Sequence, residues 1–171
     1  MGYETRGLTV WQPWATLLAK PVRYTRTGRP VYAKIYETRS WYTDYRGPIA
    51  IHAAAKDPRE CLREIRSYAA LQEVHAALQA ILFPEDPAPE LGKSLWTETE
   101  RMIAMLPRRA VICVGELTDC VRITEELRAK QKTRELALGD WTPGRYAWKI
   151  SRRQAIQPVT VNGAQGLWRW R

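Results

Sequence analysis

The apolar positions of this chain follow two rhythms. Short apolar or alternating runs at 49–52, 110–117, 145–150 and 158–161, bounded by turn formers such as Thr142-Pro143-Gly144 and Asn162-Gly163, predict β-strands near both ends. Between them the period lengthens. Asp57-Pro58-Arg59-Glu60 offers an N-cap, a proline at the first helical position and a glutamate three residues after the cap. Apolar residues then recur at Leu62, Ile65 and Ala69, and again at Leu71, Val74, Leu78 and Ile81, which predicts one long amphipathic helix ending before Pro84. Beyond the loop PEDPAPELG, a second helix is expected from near Ser94 or Thr97 to Leu106, where Pro107 stops it. Two further helices interrupt the β flanks, one at WQPWATLLA and a polar one opening at Thr124-Glu125-Glu126-Leu127 and running towards Leu138 before Gly139. The sum is an α+β fold over residues 1–171: a single domain on a small closed or partly closed β-barrel with peripheral helices, and a helical insertion at about 57–107.

Two stretches carry charge where a plain strand would not. KPVRYTRTGRPVY, residues 20–32, places Thr27-Gly28 between alternating runs and reads as a hairpin bearing Lys20, Arg23, Arg26 and Arg29, with Tyr24 and Tyr32 available for stacking. A solvated loop that protects an edge is the simpler alternative. In AKIYETRSWY, residues 33–42, an extended chain puts Ile35, Glu37, Arg39 and Trp41 on one face and Lys34, Tyr36, Thr38 and Ser40 on the other. If the Ile35/Trp41 face packs inward, a carboxylate and a guanidinium go with it, and buried charge is costly unless paired. Lys34 joins Glu37 and Arg39 only if the segment begins with a turn or bulge. Together the three would supply a base, an acid and a fixed cation, either to read a base edge or to move a proton; an internal Glu37–Arg39 pair is the structural alternative.

Composition narrows the class. A chain of 171 residues with 45% hydrophobic content can bury one good core. It has no run of 18 apolar residues, and MGYETRGLTV lacks the apolar centre of a signal peptide, so neither membrane nor export is expected and the expected location is cytoplasmic. Cys61, Cys113 and Cys120, with His52 and His75 as the only histidines, match no zinc spacing. No metal or other cofactor is expected, and Cys113 and Cys120 are expected to act as small apolar residues in or beside a strand. The formal charge of +9 is unevenly spread: residues 1–60 carry +5, residues 61–106 carry −3 and residues 107–171 carry +7. Basic ends fit a polyanion such as RNA or DNA, although charge also serves solubility. RYAWKI and the tail WRWR interleave rings with basic groups, as nucleic-acid surfaces do. Tyr146, Trp148 and Ile150 nevertheless fall on one strand face and are expected in the core, with Trp168; Trp170 fits either role.

LTVWQPWATLLA, KIYETRSW, YRGPIAIHAAAK, LGDWTPGRYAWKI and VNGAQGLW together resemble the ASCH domain family, named for activating signal cointegrator homology. The resemblance covers residues 8–56 and 110–168 and skips the acidic middle. It implies a PUA-like β-barrel similar to RNA-binding modules, with a cleft lined by the charged pattern that stands here as Lys34, Glu37 and Arg39. Some small relatives are amidohydrolases acting on a modified cytidine, with a lysine followed three residues later by threonine; Glu37 stands at that place here, and a basic segment precedes Lys34. Ribonuclease activity has been attributed to other members.

The leading expectation is therefore a nucleic-acid-binding PUA-like module, RNA ahead of DNA, with Trp14, Lys20, Arg23, Arg26, Arg29, Lys34, Glu37 and Arg39 around its cleft. A hydrolase of a modified nucleoside or of RNA, with Lys34 and Glu37 as the acid–base pair, is the first alternative. A protein-interaction module using the acidic helical insertion is the second. No nucleophile motif accompanies the pair, which favours binding.

Overall fold

The apolar run at 49–52 becomes the centre of β5 (Gly47–Ala53), in which Ile49 to Ala53 are all buried. A strand buried on both faces needs no alternation, which is why its sequence shows none. The computed structural model describes residues 4–65, 67–86 and 94–170. Within them β5 is flanked by β1 (Thr5–Val10), parallel to it, and by antiparallel β6 (Ala110–Arg122). β7 (Tyr146–Thr160) pairs with β6, β4 (Tyr36–Arg39) with β7, and β8 (Leu167–Trp170) with β1. The result is a mixed six-stranded sheet in the order β4-β7-β6-β5-β1-β8, so the fold is α+β. Among the described residues no ladder joins β4 to β8. The basic hairpin forms its own two-stranded sheet, β2 (Arg23–Tyr24) with β3 (Pro30–Val31).

Leu8, Val10, Ile49, Ile51, Leu117, Trp148 and Ile150 pack beneath α1 (Trp14–Ala19), whose Leu18 and Ala19 join the same core. Each large aliphatic side chain so buried contributes about 1.5–3 kcal/mol. Gln12, fully buried, fixes α1: its Oε1 accepts the Thr16 N–H at 3.1 Å and its Nε2 donates to Pro107 O at 2.8 Å. Cys113 and Cys120 lie buried on β6.

The expected long helix is two helices. α2 (Pro58–Arg63) starts at the Asp57 cap and closes at Glu64, whose N–H returns to Cys61 O; α3 (Tyr68–Leu82) restarts at Ser67, whose Oγ accepts the Ala70 N–H. Ala69, on the apolar face of a single helix, is instead exposed. The apolar period survives the break because Leu62, Leu71, Val74 and Leu78 still reach one core, so periodicity alone conceals the serine cap. α4 (Leu95–Ala104) adds Met102 and Ile103 to that core, and the connection expected at PEDPAPELG falls outside the described residues over 87–92. Arg171 of the WRWR tail lies outside them too. The lobe core is not its own: Leu17, Ala33 and Leu138 contribute, and Arg134 meets Glu73 at 2.6 Å.

The polar helix of the second flank is likewise divided, into α5 (Glu125–Ala129) and α6 (Thr133–Ala137). Conversely, the runs at 145–150 and 158–161 belong to one strand, β7. Its middle leaves Arg152, Gln154 and Ala155 exposed and bulges against β6, so the apolar signal lapses where pairing continues. No helix among the described residues is long and apolar enough to cross a membrane.

Candidate functional site

The segment before β4 turns the expected face inside out. The chain bends at Ala33, and Lys34, rather than Ile35, goes inward: Lys34 is 1% exposed and Ile35 42%. Two side chains, buried Glu135 and half-buried Arg153, impose this. The Glu135 carboxylate, from α6, accepts the N–H of Ile35 at 2.8 Å and of Tyr36 at 3.0 Å. From β7, Arg153 Nη1 donates to Lys34 O at 2.7 Å and to Leu18 O at 2.9 Å, while its guanidinium lies 3.6 Å from the Tyr32 ring centroid. A local bend thus supplies the convergence that an ideal strand forbids.

Lys34 Nζ donates to Leu138 O at 2.7 Å and stands 3.7 Å from Glu37 Oε2. Its chamber depends on Gly139, where a Cβ would lie 3.3 Å from Lys34 Nζ and 3.1 Å from the Trp141 Nε1. On the other side Arg39 Nε is 3.1 Å from Glu37 Oε1, and Arg39 Nη2 donates to Thr9 O at 2.7 Å. Neither contact to Glu37 is an aligned hydrogen bond: the first is too long, and Arg39 Nε makes none. Glu37 is therefore a nearly buried carboxylate, neutralised on both sides, whose lone pairs remain open to a donor.

These residues form the floor of a cavity of about 1080 Å³. Trp11, Trp14 and Trp41 stand around it. Trp11 is 46% exposed with Lys56 Nζ 3.7 Å from its ring centroid, and Trp41 packs edge-on against Trp148. Asp140 and Arg145, 3.2 Å apart, line another side; burial works against the Asp140 carboxylate, but hydrogen bonds from Thr142 and the nearby Arg145 charge hold its pKa below the ordinary value. The helical lobe supplies the opposite wall through Arg63, Glu64 and Ile65, at the break between α2 and α3.

A second cavity of about 690 Å³ adjoins the first, sharing Thr9, Trp11, Arg39 and Trp41 with it. Arg109 and the loop from Asn162 to Gly166 form its far side. Gly163 presses on His52, where a Cβ would meet the ring at 2.4 Å, and His52 is held by Val161 O at 2.9 Å. Burial lowers the His52 pKa despite that bond.

Of the residues expected around a cleft, Trp14, Lys34, Glu37 and Arg39 line it together. Lys20, Arg23, Arg26 and Arg29 do not; they are exposed on the separate hairpin. Glu135, Arg153, Asp140, Arg145 and Arg109 carry no local signal in the sequence that marks them for this site. Cys61 and Cys113 offer no ready nucleophile, because burial pushes each thiol up to about 11. Among the described residues no three His, Cys, Asp or Glu side chains gather as a metal site. No family model and no curated protein matches this chain.

Proposed function

We propose that this chain is a nucleic-acid-binding module of the PUA-like kind, similar to ASCH domains, that takes a single-stranded segment, RNA ahead of DNA, into the cleft over β4. The observation carrying this reading is the Glu37 carboxylate: nearly buried, charge-compensated by Lys34 and Arg39, unused as a hydrogen-bond acceptor by either, and flanked by tryptophans. Such a group accepts from the exocyclic amine of a base whose faces meet aromatic rings. The formal charge of +9 supports attraction to the backbone. The bond from Arg39 on the edge strand β4 to Thr9 O on β1, the strand beside the other edge, brings the two sides of the open sheet together and supports its description as a PUA-like barrel.

Fluorescence anisotropy with mixed-sequence single-stranded RNA, single-stranded DNA and duplex DNA tests this. Both single strands should bind, with affinity falling steeply as salt rises, and Glu37→Gln should cost about 1–3 kcal/mol of discrimination between bases. Failure to bind any of the three at low salt sinks the reading.

One observation favours a second reading, a hydrolase of a modified nucleoside or RNA: a buried amine and a carboxylate share the cleft floor, 3.7 Å apart, where each can exchange a proton with a bound substrate. Wild-type turnover detected by mass, abolished in Glu37→Gln while binding persists, would promote it.

A further inference from the structure

The two cavities differ in charge. Facing the larger one, Lys34, Arg39, Arg63 and Arg145 are offset by Glu37, Glu64 and Asp140. Facing the smaller one, among the described residues, are two guanidiniums, Arg39 and Arg109, and no carboxylate. A mixed set of donors and acceptors suits a neutral, hydrogen-bonding base, whereas a wall with Arg109, which meets no carboxylate there, and the outer edge of Arg39 suits a phosphate. Arg39 belongs to both, with Nε towards Glu37 and Nη2 on Thr9 O.

The smaller cavity is also a built surface. Arg109 is steered by Asn162, whose Oδ1 accepts from Nη2 at 3.0 Å. The neighbouring loop is clamped because Thr9 Oγ1 donates to Ala164 O at 3.0 Å and Gly163 sits directly on His52. His52 is 2% exposed, and its Nδ1 has no partner beneath that glycine. Little reorganisation is needed before an anion enters, so the cost of ordering is already met in the free protein.

We propose that the smaller cavity is the subsite for the phosphodiester flanking the base held over Glu37, so that the ligand is a nucleotide within a strand rather than a free nucleoside. The inference rests on the nucleic-acid reading above and adds the part of the ligand that Arg109 and Arg39 hold. It places the sugar beside Trp11 and Trp41, the wall common to both cavities.

A short single-stranded oligonucleotide of mixed sequence is prepared with natural linkages and with neutral methylphosphonate linkages, and both are titrated against the wild type and Arg109→Gln. Circular dichroism verifies folding. In the wild type the neutral linkage should weaken binding about tenfold or more, the scale of one charge-assisted hydrogen bond. In Arg109→Gln, natural binding should already be weaker and the further penalty should shrink severalfold. A penalty identical in the two proteins overturns the subsite while leaving the nucleic-acid reading intact, and a wild type that binds both oligonucleotides equally overturns the subsite together with the backbone attraction of that reading. Absence of binding to the natural oligonucleotide overturns both. The wild-type comparison stands alone should Arg109→Gln fail to fold.

Discussion

The floor of the cleft and the wall opposite it are built on opposite principles. In the helical lobe, Leu62, Leu71, Val74, Leu78 and Ile103 exclude water in the ordinary way, with the His75–Thr99 bond as a buried polar exception. Around β4 the buried residues include the polar set Lys34, Glu37, Thr38 and Glu135. Burying a salt bridge costs desolvation that its attraction barely repays, so the floor adds little net stability and much geometric definition. The contrast teaches where specificity and rigidity come from: the lobe shapes the cleft through apolar area, and the floor provides the groups a ligand would feel.

The largest effect should come from leaving the floor half-built. Lys34→Ala strips Glu37 of one of its two cations and Leu138 O of its donor, and should destabilise the fold by about 3–5 kcal/mol. Lys34→Met combined with Glu37→Gln keeps the volume and removes both charges, and should recover most of that loss. Urea denaturation of the two proteins measures the difference. A cost below about 1 kcal/mol for Lys34→Ala would mean that the floor is no more demanding than the lobe, and the contrast would disappear.

A smaller, pH-dependent effect should expose the lobe's polar exception. Thr99 Oγ1 donates to Leu95 O at 2.7 Å and so accepts from His75 Nδ1–H at 2.9 Å. Burial lowers the His75 pKa from its ordinary 6.5, with Glu98 pulling weakly the other way. A histidine lowered on folding leaves the unfolded chain with more bound protons just below 6.5. Its stabilising contribution is therefore complete above that pH, is lost as pH falls from 6.5 towards the folded value, and changes no further below it. His52 is lowered as well, so the separating variant is His75→Asn, whose amide can replace Nδ1–H. Stability measured between about pH 7 and 5 should vary less in this variant; an unchanged slope would remove the lobe from the explanation.

The same contrast accounts for what was readable in the sequence. The Asp57 cap, the lobe's apolar faces, the β5 run and the hairpin are local or periodic signals, and each appears as an element or a packed face. The floor is neither. Lys34 is turned inward because Glu135, 100 positions beyond Ile35, takes the Ile35 N–H, and because Arg153 holds the Lys34 carbonyl; no period encodes either contact. Glu135 sits in a polar helix beside charges that face solvent, and nothing local separates it from Glu125 or Glu126. The split between α2 and α3 was written in Ser67, but the uninterrupted apolar rhythm outweighed a single polar residue. Charge on both ends gives no position in the fold: Lys20, Arg23, Arg26 and Arg29 stand outside the cleft, whereas Arg39 lines it.

The least effect on the fold, and the sharpest on the division between attraction and recognition, should follow from Arg23, Arg26 and Arg29. All three are exposed and none lines the cleft, so replacing them together by Gln should leave thermal unfolding essentially unchanged. If the hairpin follows the backbone of a bound strand, the triple variant should bind every sequence more weakly and by a similar factor. It should also lower the slope of log affinity against log salt by about 0.7 for each phosphate of a single strand that the variant no longer neutralises. Glu37→Gln should do the reverse, changing the preference among bases while keeping the slope, because a carboxylate that reads a base edge releases no counterion. Salt titrations of both variants against two sequences differing at a single base separate the roles. A triple variant with the wild-type slope would show that the hairpin does not touch the phosphates, leaving Arg39, Arg109 and the rest of the cleft to supply the attraction.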